Sequence, residues 1–260
     1  MATDDGSAIL QVEEVAKHFG NVVALEGASM EAKDGEITAI VGDNGAGKST
    51  LIKCVAGVHL PDRGRIVFGG EVVRFSSPEE ARRAGIETVY QNLALVDELT
   101  IWQNLFLNRE IKRGVGPVSF LDRKAMARRS EEMLSRLDIH IPSVHARVRR
   151  LSGGQRQAVA ISRATGWGSR LIVMDEPTAA LGVKESGRVE ELILRLREEG
   201  HSLLVISHNF DQVLRLSDQI WVMRQGRVVG GRRTSETTGD ELVALVTGAN
   251  RGEPDEEGEA

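Results

Sequence analysis

This chain of 260 residues predicts an α/β fold: a mostly parallel sheet flanked by helices, an antiparallel β portion near the N-terminus, and a helical subdomain inserted in the middle. Three observations carry that expectation. The runs at residues 37–41, 171–174 and 203–206 are almost wholly apolar and short, as strands buried on both faces are. The first run leads into a glycine-rich loop and then a helical pattern, the order strand–loop–helix. The second and third are separated by a segment with helical periodicity, as in a parallel crossover.

The elements follow in chain order. Residues 1–7 are polar and acidic and read as a flexible start. From Leu10 to Val41, short β-type segments alternate with turns at Gly20-Asn21 and Asp34-Gly35. A helix through Leu51, Ile52 and Val55 ends near Gly57. Ile66-Val67-Phe68 and Val72-Val73 bracket Gly69-Gly70 as a hairpin, and residues 86–90 form a short apolar strand. Residues 92–165 carry no clear strand and read as the inserted helical subdomain, with a loop at residues 114–117. Within it, Asp122 is placed to cap a helix whose apolar stripe is Met126, Met133, Leu134 and Leu137. A further helix starts at about Lys184, presents Val189, Leu192, Ile193 and Leu196 on one face, and stops at Gly200. Residues 251–260, mostly Glu, Asp, Gly and Pro, read as a flexible acidic tail. No internal repeat is visible.

Composition bounds the function. A formal net charge of −5 argues against nucleic acid as the main partner. Cys54 is the single cysteine, so no intramolecular disulfide can form; a reducing compartment and a packing role fit it. The N-terminus has no apolar signal-peptide core, and no apolar run approaches the ~18–20 residues that span a bilayer. If the protein works at a membrane, other chains supply the membrane part.

Gly42-Asp43-Asn44-Gly45-Ala46-Gly47-Lys48-Ser49-Thr50 fits G-x-x-x-x-G-K-[ST]. Its glycines let the backbone wrap an anion, with N–H groups of the loop and helix start pointing inward. Lys48 reaches the terminal phosphates as a point charge, and the Ser49 hydroxyl suits Mg²⁺. Asp175-Glu176 closes the apolar run 171–174. After a strand of this kind, Asp175 faces the Mg²⁺ and Glu176 is placed to orient or deprotonate the water that attacks the γ-phosphate. Read alone, the pair is a solvated acidic turn. Leu151-Ser152-Gly153-Gly154-Gln155 opens another helix, with Ser152 as a good cap and two glycines beside it. One nucleotide does not need two anion-binding helix starts. Two copies meeting head-to-tail, each lending Ser152 to the other's γ-phosphate, would use both; an ordinary capped helix is the alternative.

Taken together these residues resemble the ATPase subunits of ATP-binding cassette transporters, over about Leu10 to Gly248. The signature of that family is matched in full by residues 151–155. The resemblance implies a P-loop NTPase with a RecA-like core, here one domain over residues 8–248. It implies that Phe19 stacks on adenine, where tyrosine is commoner and a buried core phenylalanine is the alternative. It implies that residues 42–50 bind the nucleotide and that Gln91 links the γ-phosphate and Mg²⁺ to the transport partner. It implies that His208 contacts the γ-phosphate and that Ser152, Gly153, Gly154 and Gln155 engage the partner's ATP. Glu176, His208 and Gln91 are the catalytic candidates; Ser49, Gln91 and Asp175 are the Mg²⁺ candidates. Gly182 stands where many members carry Asp, which puts one contact with the opposite phosphate loop in doubt. The runs at residues 174–186 and 85–95 look like the subgroup serving ribose- and fructose-type monosaccharide importers, in its single-cassette form. By this resemblance the chain is a peripheral ATPase on the cytoplasmic face of the inner or cell membrane. Its ligands are ATP and Mg²⁺. Its partners are an integral-membrane permease, indirectly a periplasmic-type sugar-binding protein, and a second ATPase subunit that makes a homodimer. Trp102 is a candidate permease contact, with a core tryptophan as the alternative. A soluble cassette ATPase acting in translation or DNA repair is the competing reading. Such relatives usually carry two cassettes, a coiled coil or zinc motifs, and this sequence has none of them.

Overall fold

The structure is a computed structural model that describes residues 7–115 and 118–249. The flexible start and the acidic tail expected from the sequence lie, apart from Ser7, outside the described residues, as do the last two positions of the loop expected at 114–117. The chain divides into two compact units, one made of residues 1–81 and 202–260 and the other of residues 82–201.

In chain order the first unit opens with β1 (Ala8–Phe19), β2 (Val22–Lys33), β3 (Ile37–Val41), α1 (Lys48–Val55), β4 (Arg63–Phe68) and β5 (Glu71–Val73). The short helix α2 (Pro78–Ala84) spans the division in sequence. The second unit holds β6 (Ile86–Val89), α3 (Ile101–Leu105), β7 (Lys112–Val115), β8 (Val118–Leu121), α4 (Arg123–Arg136), α5 (Gly153–Thr165), β9 (Leu171–Asp175) and α6 (Val183–Glu198). The chain then returns to the first unit through β10 (Ser202–Ile206), α7 (Phe210–Leu216), β11 (Gln219–Arg224), β12 (Arg227–Arg233) and α8 (Gly239–Thr247).

The antiparallel N-terminal portion is present as a sheet ordered β2-β1-β4-β5. The turns before β2 and β3 use left-handed Gly20 (φ 58°) and Gly35 (φ 71°), as the sequence predicted. Beside it in the same unit, β3 is paired in parallel with β10 on one side and with β11 on the other, and β12 closes antiparallel onto β11. All five residues of β3 and of β10 are buried, which is why those runs carry no polar alternation. Ala39, Val41, Val213, Ile220, Val222, Leu242 and Val246 form one core there, where α7 and α8 cover the sheet.

In the second unit β6 and β9 pair in parallel, Ile86 to Val89 against Leu171 to Met174. The helical core gathers Ile101, Leu105, Phe106, Met126, Leu134, Val148 and Val159. Asp122 caps α4, its carboxylate accepting from the Ala125 N–H at 3.0 Å. One expectation needs correcting. The segment 92–165 is not free of strands, because β7 and β8 form an antiparallel hairpin in which Arg113 faces Phe120 and Lys112 faces Leu121. Gly114 lies in that hairpin and not in a loop. All four of those facing side chains are exposed, so they give the sequence no alternation of buried and exposed residues to read.

Candidate nucleotide-binding site

In the first unit β3 delivers the chain into the phosphate loop at the carboxyl edge of the sheet, where α/β folds place their ligands. Gly42, Gly45 and Gly47 all have positive φ (151°, 84° and 103°). Gly47 is the left-handed N-cap of α1, and a Cβ there would lie 2.7 Å from the Ala24 carbonyl oxygen. The loop is braced from within by Ala46 N–H on the Asp43 carbonyl (3.1 Å) and from outside by Gly226 N–H on the Ala46 carbonyl (2.9 Å). Lys48 is buried, and its ammonium donates to the Gly42 and Asp43 carbonyls at 2.6 and 2.9 Å, so its charge sits inside the curl of the loop. Asp43, Asn44, Gly45 and Ser49 are exposed, Ala46 is buried and Thr50 is half-buried on the first turn of α1. An ammonium at a helix N-terminus, ringed by glycine-rich backbone, is a site for phosphate.

His208 belongs to the same edge. Ile206 of β10 pairs with Ile40 of β3, and the Ser207 N–H donates to the Ile40 carbonyl at 3.3 Å; exposed His208 follows at once. Phe19 ends β1 with 44% of its surface exposed, so it is not a core phenylalanine. Its ring meets His59 edge-on, centroids 5.1 Å apart, and the Lys17 ammonium lies 5.6 Å from its centroid. Lys17 also pairs with Asp62 at 2.8 Å, and that bond leads the causes that hold the exposed Asp62 carboxyl down at about 2. Cys54 lies beneath on α1, where burial pushes its thiol up to about 11; it is a packing residue.

In the second unit the register Val89–Met174 puts the ends of β6 and β9 side by side. Gln91 follows one end, and Asp175-Glu176 forms the other. Tyr90 reports that neighbourhood: burial is the main cause that raises its pKa, and the Asp175 charge adds to it. Glu176 is a non-glycine residue with φ of 52°, a strained backbone of the kind found where a side chain must be aimed.

Ser152 caps α5 in a capping box: its hydroxyl accepts from the Gln155 N–H (3.3 Å), and the Gln155 side chain accepts from the Ser152 N–H (3.1 Å). The exposed Ser152 hydroxyl keeps its proton to donate. The two glycines have a local reason as well. A Cβ on Gly153 would lie 2.8 Å from Leu181 Cδ2, and one on Gly154 would lie 3.1 Å from Glu185 Cβ, so the segment holding Gly182 packs onto the helix start. Ser152, Gly154 and Gln155 line a cleft shared with Asp138, His140, Glu185 and Arg188.

The structure therefore groups Phe19, residues 42–50 and His208 on the first unit, and Gln91, Ser152 to Gln155, Asp175 and Glu176 on the second. Trp102 is buried in the helical core and is not an exposed contact. Two residues the sequence did not single out reach the Gln91 segment: Arg156 and Arg163 of α5. Arginines in a helix carry no marker of what they grip.

The donor types fit Mg²⁺: Ser49, Gln91 and Asp175 all offer hard oxygen atoms. Among the described residues no group of three or more His, Cys, Asp or Glu side chains is placed to hold a metal. Among the described residues no helix is long and apolar enough to cross a membrane.

Compared with known protein families, residues 25–179 match the one described as ABC transporter. The chain is 46% identical, over 93% of its length and 94% of the relative's, to the xylose/arabinose import ATP-binding protein XylG of Sulfolobus acidocaldarius. It is 47% identical, over 93% and 94%, to the fructose import ATP-binding protein FrcA of Rhizobium meliloti. Its fold matches a crystal structure of a nucleotide-free ATP-binding cassette from an ABC transporter with a TM-score of 0.80. The identity there is 29%, covering 94% of this chain and 96% of that one.

Proposed function

The chain belongs to the ABC transporter family, as an ATP-hydrolysing subunit of the monosaccharide-importer subgroup, and from that premise we propose how its residues divide the work. The observation that carries the proposal is positional. In each unit the chemistry-bearing residues follow the carboxyl ends of paired parallel strands, Lys48 and His208 after β3 and β10, Gln91 and Glu176 after β6 and β9.

ATP binds with its base against Phe19 and its phosphates in the loop at residues 42–50. Lys48 leaves the loop carbonyls to neutralise the terminal phosphates, and the α1 N-terminus adds its dipole. Ser49, Gln91 and Asp175 are the residues that would hold Mg²⁺, which when bound would draw charge from the phosphate oxygens. Glu176 orients the attacking water and accepts its proton, and His208 donates to the γ-phosphate as charge builds there. Ser152 of a second copy completes the phosphate contacts, so ATP favours a closed head-to-tail dimer because it touches both copies only in that state. Closure drives an integral-membrane permease that takes its sugar from a periplasmic-type binding protein, with this chain on the cytoplasmic face.

The test is Glu176→Gln. The variant is expected to bind ATP, to lose turnover by at least ~100-fold, and to elute with ATP at about twice the monomer mass of 28.3 kDa. Wild-type turnover in that variant would remove Glu176 from the mechanism.

A further inference from the structure

Helix α5 begins at the Ser152 cap and carries Arg156 and Arg163, seven residues apart and therefore on one face. Both reach the segment that follows Gln91. Arg156 Nη1 donates to Asp97 Oδ1 at 3.0 Å. Arg163 spreads its fork over two backbone carbonyls, Nη2 to Leu93 at 2.9 Å and Nη1 to Ala94 at 3.1 Å. Residues 92–96 have no regular secondary structure, and Ala94 holds a left-handed φ of 48°, which a non-glycine residue adopts only under external restraint. The Arg163 fork grips the carbonyl of that residue and of the one before it.

The fork has charged neighbours. Glu87, buried on β6, lies within electrostatic reach of Arg163 and pairs with Arg109. The Arg109 guanidinium stacks 4.9 Å from the Trp167 ring centroid, and Trp167 meets Phe106 edge-on at 5.2 Å. Arginine suits this place because its planar guanidinium aims two fixed N–H groups at two carbonyls, whereas a lysine ammonium is a point charge on a flexible stem that holds them in no set geometry. From the Ser152 cap to Arg163 the helix rises roughly 16 Å as one rigid rod.

We propose that Arg163, seconded by Arg156, is a positioning residue for Gln91: α5 ties its Ser152 end to the loop that carries Gln91, so nucleotide engagement at one end resets the glutamine at the other. The proposal rests on the reading of Gln91 and Ser152 as nucleotide-facing residues.

A double-mutant cycle on the full chain tests it, with Arg163→Lys and Gln91→Ala measured for kcat, for KM toward ATP at saturating Mg²⁺, and for melting temperature. Arg163→Lys is expected to lower kcat about 10-fold with KM within about 2-fold. In the Gln91→Ala background the same substitution is expected to cost less than about 2-fold, because the residue it positions is gone. A full repeat of the 10-fold loss in that background would overturn the proposal, as would an unchanged kcat in Arg163→Lys when Gln91→Ala alone slows turnover. An unchanged kcat in Gln91→Ala would instead overturn the reading of Gln91, and the proposal with it. If Arg163→Lys does not fold, Asp97→Asn releases the more exposed Arg156 anchor and enters the same cycle, with non-additivity supporting the proposal and additivity overturning it.

Discussion

Glu87 is a carboxylate in an expensive place. It is 9% exposed on β6, and burial raises its pKa above the ordinary 4.5 while the bond from Arg109 pulls it back. A raised folded-state pKa means that the native protein holds this proton more tightly than the unfolded chain does. The group's contribution to stability is therefore fully present below pH 4.5 and is lost as pH rises through the folded-state value. Urea unfolding of wild type and Glu87→Gln at pH 7, 6 and 5 is expected to show the difference moving in favour of wild type as pH falls. A difference that stays flat would mean that Glu87 does not titrate as a buried group. The sequence could not flag this residue, nor Arg163 beside it, because a charge in a strand or helix reads as solvent-facing until its neighbours are known. Aromatic residues show the same limit: exposed Phe19 and buried Trp102 look alike in sequence, and only packing separates them.

Helix α5 shows what an element adds to its residues. Its capping box satisfies two of the N–H groups that a helix start leaves unpaired, and the same serine is the candidate donor to a partner's nucleotide. The two roles separate by substitution. Ser152→Ala removes the cap and is expected to cost about 1 kcal/mol of stability as well as turnover. Ser152→Asp keeps a capping oxygen and should unfold within about 0.5 kcal/mol of wild type. Its negative charge would repel the γ-phosphate and lower turnover on the order of 100-fold. Retained turnover in Ser152→Asp, measured beside urea melts of both variants, would leave Ser152 only its structural role. The elements legible in sequence were those with a strong burial pattern or a cap: β3, β9, β10, α4 and α6 all appear within a residue or two of their expected places. The hairpin of β7 and β8 was not legible because its facing side chains are exposed, and β12, RVVGGRR, has no residue fully buried.

At the scale of the whole chain the arithmetic of sites matters most. One phosphate loop and one signature occur in 260 residues, and the compared sugar-import relatives are covered over 94% of their own length, so they too are close to one cassette long. Under the proposed function, a cassette with one signature borrows the second from another copy, and a permease carries the solute. The order of motifs along the sequence revealed that logic: the phosphate loop, Gln91, Glu176 and His208 each follow a strand end, and the signature opens a helix. The sugar stayed illegible because every motif singled out in the sequence is read as handling nucleotide, and under the proposed function solute selection falls to the permease and binding protein. Affinity capture of the tagged protein from detergent-solubilised native membranes, followed by mass spectrometry, is expected to recover a multispanning permease together with a sugar-binding protein. Intact mass of the same complex should show two copies of this chain. One copy paired with a different cassette would replace the homodimer by a heterodimer, and Gly182, which lacks the usual carboxylate toward the opposite loop, would then mark the asymmetric face. Recovery of ribosomal or DNA-repair proteins without a permease would break the link between this ATPase and import and favour the soluble alternative.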